Sequence, residues 1–345
     1  MTIAWPWHGP KGQRANTRAA IDLGSSGVKI MRADVGRDRA LRVVTAVIEE
    51  AADATPAAQT AALQRAMLSA HLPPGSDVRL SIAGQDIMTR LLTLPTMTAQ
   101  ELDSAIRFEG ETYIPFPLSE VVIDKQILDT LDGKKMRVLL VAGKRDAIAA
   151  HLARVTAHGL VPVLLDVDAL AVVNAYVADQ DAPAPPMNMA LVQFGARSTN
   201  VAILQRGQSC CFTRDLTVAG QDLTKAIAEQ LGVAPAQAEQ LKLRPGEREA
   251  DVGRAMRHGL EALAGDLRLS LDFYESQFEG GVERIVLTGG SSRIPLVPPF
   301  LTEQLNMPVE LWAPQRWLTR HGAQVSTEFA SRLAVCVGLL SREDL

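Results

Sequence analysis

Three glycine turns, each closing an apolar strand, hold the residues best suited to chemistry. The first is Ala19-Ala20-Ile21-Asp22-Leu23-Gly24-Ser25-Ser26-Gly27-Val28-Lys29-Ile30. The second, Ala190-Leu191-Val192-Gln193-Phe194-Gly195-Ala196-Arg197-Ser198-Thr199-Asn200-Val201, repeats that layout 171 positions later, from 22 to 193. The third ends the strand Arg284-Ile285-Val286-Leu287-Thr288 with Gly289-Gly290-Ser291-Ser292. Backbone N–H groups opened by glycine, together with Ser and Thr hydroxyls, can ring phosphate oxygens, and a carboxylate at a strand end can hold the magnesium that screens their charge. The expected chemistry is phosphate or nucleotide binding between two facing lobes. One Gly/Ser turn alone is a common way to join two strands; three in this order are a stronger signal.

The elements needed to position such turns fit the length and composition. At ~150 residues per domain, 345 residues allow about two domains, each with a real interior. The 35 basic and 39 acidic residues leave a net charge of −4. That lacks the cationic excess that neutralises nucleic-acid phosphates, so no nucleic-acid partner is expected. Three cysteines, with Cys210 and Cys211 adjacent, offer neither a disulfide framework nor metal-ligand spacing and read as reduced core residues. No apolar run approaches the ~18 to 20 residues that cross a bilayer, and the N-terminus lacks a signal-peptide apolar region, so a cytoplasmic location is expected. Residues 1–17 form a tail whose Trp5 and Trp7 are read either as a surface or partner contact or as a loose tail folded on the body.

Alternating apolar residues predict a three-strand meander over 19–50, repeated over 190–218, which points to two homologous lobes. Leu63, Met67 and His71 predict a helix over Thr60 to His71, stopped by Pro73-Pro74-Gly75. A different module follows: strands at Val78–Ile82 and Arg90–Pro95, a helix opened by the capping box Thr98-Ala99-Gln100-Glu101, and strands at Val121–Leu128 and Arg137–Ala142. A helix from Asp146 to His158, a strand at Val161–Val167 and a helix opening at Asp168 lead to the Pro-rich linker 181–186. The stripe Met256, Leu260, Leu263, Leu267, Leu271, Tyr274 and Phe278 predicts a long helix turned to the core. The expected boundaries are 18–76 with 145–182 for the first lobe, 77–144 for the inserted subdomain, 187–222 with 282–345 for the second lobe, and 223–281 for its helical part.

With these motifs in this order, the chain resembles the actin-like ATPase superfamily over nearly its whole length. Within it, the chain resembles the PilM family of type IV pilus assembly proteins. The phosphate elements are Asp22 to Lys29 and Gln193 to Asn200, and the adenosine element is Thr288-Gly289-Gly290-Ser291-Ser292-Arg293. Leu94-Pro95, Glu101-Leu102, Ala105-Ile106 and Tyr113-Ile114-Pro115-Phe116 narrow the match, as do Val218 to Thr224 and Ala238-Glu239-Gln240-Leu241-Lys242. The resemblance implies an α/β fold: duplicated actin-like (ribonuclease H-like) lobes facing a nucleotide cleft, with a small inserted α+β subdomain. It implies ATP or ADP with Mg2+ as cofactors. The implied nucleotide contacts are Asp22, Gly24, Ser25, Ser26, Lys29, Gly195, Ser198, Thr199, Asn200, Gly220, Lys225, Glu239, Lys242, Gly289, Gly290 and Arg293, with Asp22 also the metal ligand.

The resemblance further implies a scaffold at the inner face of the inner membrane that grips the N-terminal tail of PilN within the pilus assembly complex. Membrane association would come through partners, and self-association is open. The implied groove lies between the first lobe and the inserted subdomain, with Leu94, Pro95, Met97, Tyr113, Ile114 and Phe116 as its apolar edge and Arg107 and Glu111 at its ends; the alternative is that the apolar residues form the subdomain's own core. One departure matters: Gln193 stands where the superfamily usually carries Asp. A neutral amide cannot supply the charge that helps hold magnesium and polarise an attacking water, so hydrolysis is expected to be slow or absent. Gln193 and Asp168 are the candidates for any catalytic role, Asp168 reading also as a helix N-cap. Glu239 and Lys242 read either as ribose contacts or as a surface ion pair. The alternatives to a nucleotide-gated scaffold are a true ATPase driving assembly and a nucleotide-free adaptor like the type II secretion L-type cytoplasmic domain.

Overall fold

The structure is a computed structural model and describes residues 17–38, 40–53, 55–131, 133–181, 187–206, 209–278 and 280–342. Trp5 and Trp7 of the expected tail and most of the expected Pro-rich linker lie outside the described residues. The chain runs β1 (Thr17–Gly24), β2 (Gly27–Val35), β3 (Leu41–Glu50), α1 (Pro56–Ser69), β4 (Asp77–Ile82), β5 (Ile87–Pro95), α2 (Ala99–Tyr113), β6 (Val121–Leu131), β7 (Lys135–Lys144), α3 (Arg145–Thr156), β8 (Val161–Val167) and α4 (Asp168–Asp179). It continues with β9 (Met189–Phe194), β10 (Thr199–Gln205), β11 (Ser209–Leu216), α5 (Gly220–Leu231), α6 (Pro235–Leu243), α7 (Glu249–Gln277), β12 (Arg284–Thr288), α8 (Val297–Leu305), β13 (Val309–Leu311), α9 (Gln315–Arg320), α10 (Thr327–Ser331) and α11 (Ala334–Ser341).

The meanders form as their alternation requires, and each seeds a sheet of the same order: β3-β2-β1-β4-β8 and β11-β10-β9-β12-β13. In both, the first three strands are antiparallel and the remaining pairings are parallel. A third sheet, β5-β7-β6, is backed by α2, whose Thr98 and Glu101 form the expected capping box. Helix α1 starts before Thr60, because the Thr55 hydroxyl accepts from the Ala58 N–H and Pro56 suits the first turn. The α7 stripe is core, as its period predicts: Met256, Leu260, Leu263, Leu267, Leu271 and Tyr274 are all buried.

Two expected boundaries are corrected. Strand β4 pairs with β1 and β8 and so belongs to the first lobe's sheet, and the three-stranded unit begins only at β5. Its alternation resembled a half-exposed strand because Arg79 interrupts the apolar run. Arg79 is in fact buried and donates to the carbonyls of Leu339 (2.9 Å) and Arg342 (2.6 Å) at the end of α11. The second correction is α11 itself, which leaves the second lobe and packs against α4, β1, β2 and β4 of the first. Gly338 permits this approach, since a Cβ there would lie 1.7 Å from the Ala171 carbonyl oxygen. Beyond α11, the buried Arg342 guanidinium stands 3.2 Å from the fully buried Asp166 carboxylate and keeps that charge partnered.

Helix α4, with nine of its twelve residues buried, lies between the two large sheets and touches β4, β8, β9 and β10. One continuous core therefore joins the first lobe, α4, α11 and one face of the second sheet, while α5, α7 and α8 cover the other face. The second and third turns meet where the Ser291 hydroxyl donates to the Gly195 carbonyl, and Arg332 beside Gly290 reaches Glu50 of the first lobe. Among the described residues, no helix is long and apolar enough to cross a membrane.

Candidate nucleotide cleft and partner hollow

The β1–β2 hairpin sets Asp22 directly opposite Lys29. The Lys29 ammonium forms an ion pair with Asp22 Oδ2 at 3.2 Å, with both side chains nearly buried. The ammonium lies over the turn: a Cβ on Gly24 would come 2.2 Å from Lys29 Nζ, so glycine is what leaves room for the charge. Ser25 and Ser26 occupy the half-buried tip, anchored from behind where Gln59 Nε2 donates to the Ser25 carbonyl (2.8 Å) and the Ala51 N–H to the Ser26 carbonyl (3.0 Å).

The β9–β10 hairpin puts Asn200 opposite Gln193, in the register that Lys29 and Asp22 hold in the first lobe. Gln193 Oε1 is buried and has no hydrogen-bond partner among the described residues. Gly195 is pinned from three sides, donating its N–H to the Ser198 carbonyl (3.1 Å) and accepting at its own carbonyl from the Gly220 N–H (3.0 Å) and the Ser291 hydroxyl (2.9 Å). Thr199 spends its hydroxyl on the Val218 carbonyl (2.7 Å). Gly289 has φ +93°, and a Cβ there would meet the Phe194 carbonyl oxygen at 2.6 Å, so the second and third turns fit together only with glycine at that position. Gly290 is exposed and Arg293 half-buried. Arg332, whose stem lies by Gly290, donates to Glu50 Oε1 at 2.5 Å and ties the third turn to the first lobe.

Asp168 is not the helix N-cap that sequence spacing allows. Val167 takes that position without a side-chain bond, and Asp168 stands in the first turn of α4. Burial, then the negative charges of Asp22 and Asp215, push Asp168 up to about 7, against Ser81 and Lys29, which pull it down. Asp215 went unnoticed in the sequence, as a lone acid in the alternating pattern of β11. Its Oδ1 accepts from Asn200 Nδ2 (2.6 Å) and its Oδ2 from the Gly84 N–H of the first lobe (2.9 Å). His151 of α3 also senses Asp22, but burial lowers it to about 4 and keeps it neutral.

The first turn's donors fit a polyphosphate, one ammonium and serine hydroxyls at a glycine turn, whereas the unpartnered Gln193 oxygen can only accept, as from a water. Among the described residues no three His, Cys, Asp or Glu side chains converge to hold a metal ion. A magnesium ion at Asp22 would therefore complete its shell with water and phosphate oxygens, as this cation commonly does.

The remaining expected nucleotide contacts separate. Lys225 is exposed and faces Glu229 at 3.8 Å. Lys242 is buried and donates to the Gly220 carbonyl (3.0 Å), Thr224 Oγ1 (2.8 Å) and Glu239 Oε2 (2.7 Å). These use all three ammonium hydrogens. The expected surface pair is thus an internal clamp of α6 on the start of α5, leaving Lys242 no hydrogen for a ribose; Glu239 remains half-exposed at its rim.

In the inserted subdomain a hollow of about 260 Å³ opens between β5 and the end of α2, lined by Met88, Thr89, Arg90 and residues 111–115. Of the expected partner residues, Glu111, Tyr113 and Ile114 line it. Ile114 is also a core residue at 3% exposure, and Leu94, Met97 and Phe116 pack against that core. Pro95 is exposed at the far end of β5, Arg107 is exposed on α2, and the Lys144 ammonium sits over the Phe116 ring at 5.0 Å. Met88 and Arg90 were missed, because their contact with the end of α2, 23 residues later in the chain, leaves no local signal; Arg90 Nη1 donates to the Tyr113 carbonyl at 3.1 Å.

Residues 20–343 match the family described as type IV pilus assembly protein PilM. A solved PilM-PilN type IV pilus biogenesis complex is similar with a TM-score of 0.78 at 28% identity, over 95% of this chain and 98% of that one. The ethanolamine utilization protein EutJ from Carboxydothermus hydrogenoformans shares the fold at TM-score 0.55 and 12% identity, covering 96% of this chain and 91% of that one. MreB 5 of Spiroplasma citri, solved bound to AMPPNP, shares it at 0.53 and 10%, covering 94% and 95%. The two lobes, their repeated sheet order and these likenesses make the fold actin-like, and the chain belongs to the PilM family of type IV pilus assembly proteins.

Proposed function

We propose that the chain is a nucleotide-binding scaffold of the type IV pilus assembly complex, working at the cytoplasmic face of the inner membrane and reaching the membrane through its partners. ATP or ADP with Mg2+ occupies the cleft, with Asp22, Lys29, Ser25 and Ser26 at the phosphates and Gly289 and Gly290 at the adenosine. Asp22 holds the cation and Lys29 meets phosphate charge. Gln193 offers its unpartnered oxygen to a water but no negative charge, so turnover is slow or absent. Population shift between lobe arrangements is the working principle: ligands favour one arrangement by their difference in affinity for the two.

The partner is the N-terminal cytoplasmic tail of PilN, bound in the hollow between β5 and the end of α2. The observation that carries this reading is the hollow itself: a half-buried Tyr113 and Met88 beside an exposed Arg90 and Glu111, an apolar floor with charged ends suited to a short extended peptide. A synthetic peptide of the cognate PilN tail, followed by fluorescence anisotropy, tests it. Tyr113→Ala and Met88→Asp are expected to weaken binding by about tenfold or more, as loss of a buried anchor does. Unchanged affinity in both variants would remove the hollow as the site.

A further inference from the structure

We infer that Asp215 is a positioning residue that transmits the state of the nucleotide cleft to the partner hollow, through its bond to Gly84. The inference rests on the cleft and hollow as read above. Asp215 holds two lobes at once: Oδ1 takes the amide of Asn200 in the second phosphate turn at 2.6 Å, and Oδ2 takes the backbone N–H of Gly84 at 2.9 Å. In the strand register Asn200 lies between Gln193 and Asp215. On the other side, Gly84 joins β4 of the first lobe to β5 of the inserted subdomain. Its φ of +123° is a conformation that L side chains rarely adopt, so the path of this connection is tightly specified. Three residues later β5 begins, and Met88, Thr89 and Arg90 line the hollow.

The coupling follows from charge repulsion across a shared amide. A phosphate oxygen arriving at the second turn draws on the amide that Asp215 holds, and its negative charge, with that of Asp22, repels the Asp215 carboxylate. An Asp215 carboxylate that loses Asn200 must turn or accept water, and its hold on Gly84 changes with it. A second side-chain hydrogen bond joins the subdomain to the second lobe, Arg137 Nη1 to Gln205 Oε1 at 2.7 Å, at the far end of β10. Beside the Asp215 contact β5 packs on β11, with Leu91 against both large cores, so a change in the Gly84 bond reaches β5 within a packed interface.

The test measures affinity for the cognate PilN-tail peptide with and without ATP and magnesium, alongside hydrogen exchange of the Ile87–Pro95 amides. ATP is expected to change peptide affinity at least about fivefold in the parent and to change exchange in that segment. Asp215→Ala is expected to bring the ratio to within about twofold of unity and abolish the exchange response. Asp215→Asn, which can still accept from Gly84 but carries no charge for a phosphate to repel, is expected to lose the response as well, and it replaces the alanine variant if that does not fold. An undiminished ratio in Asp215→Ala, or a parent whose exchange ignores ATP, overturns the inference. A peptide that fails to bind, with an exchange response lost in Asp215→Ala, refutes the partner reading and leaves the coupling standing.

Discussion

The two phosphate turns are the same hairpin with opposite electrostatics. At matching positions the first lobe carries Asp22 and Lys29, a nearly buried ion pair at 3.2 Å, and the second carries Gln193 and Asn200, two neutral amides. The second lobe keeps a carboxylate close to its turn, displaced to the third strand of the meander: Asp215 faces Asn200, where the first lobe has Ile48 facing Lys29. On the proposed reading, a duplicated fold divides two tasks: the charged turn would hold a phosphate and its cation, and the neutral turn would pass charge to Gly84 through Asp215. Binding and turnover would then be separable, because an acid missing from the second turn weakens only the step that needs a polarised water.

The largest break in that contrast comes from the charged side. Asp22→Ala leaves Lys29 nearly buried without its partner, a change that costs about 3–5 kcal/mol. Thermal melting should record the loss, and a calorimetric ATP titration of the folded fraction should lose its binding heat. Next in size is Gln193→Asp, which makes the turns alike. It is expected to raise phosphate release roughly 10- to 100-fold if position and charge are what the second turn lacks. A rate that stays flat would place the deficiency elsewhere in the cleft.

A smaller effect separates the acids by pH. Asp168 is raised in the fold to about 7 from an ordinary 3.8, so it favours its protonated form there. Its contribution is fully present below the unfolded value and declines as pH rises through the folded one. Asp168→Asn should therefore melt above the parent by about 2–4 °C near pH 8, with the gap closing toward pH 4. The smallest expected effect is Gln193→Leu. Its buried oxygen has no partner to lose, so stability should stay within about 0.5 kcal/mol by denaturant titration, in contrast to the equivalent substitution at Asp22.

The sequence revealed the turns more readily than it revealed how they are joined. Glycine beside apolar strands announces close backbone approach, and the repeat from 22 to 193 carries over to two sheets of one order. The α7 stripe was legible because one face alone is apolar. By contrast α11 is apolar on nearly every side, which predicts burial but not the neighbour, and it crossed to the other lobe. Arg79 hid β4's membership of the large sheet because a buried arginine looks like an exposed one until its carbonyl partners are known. Asp215 was silent for a similar reason: its meaning lies in Gly84, 131 positions away in the chain. Lys242, spaced three from Glu239 as a surface pair would be, turned inward where Gly220 and Thr224 complete its bonds.

The central claim, that the charged turn binds while the neutral turn withholds hydrolysis, is tested most directly by titrating the parent protein with ATP and magnesium while following phosphate release in the same sample. Saturable, magnesium-dependent binding with negligible release, abolished in Asp22→Ala, is the predicted result. Sustained release by the parent, or binding that survives Asp22→Ala unchanged, would contradict it.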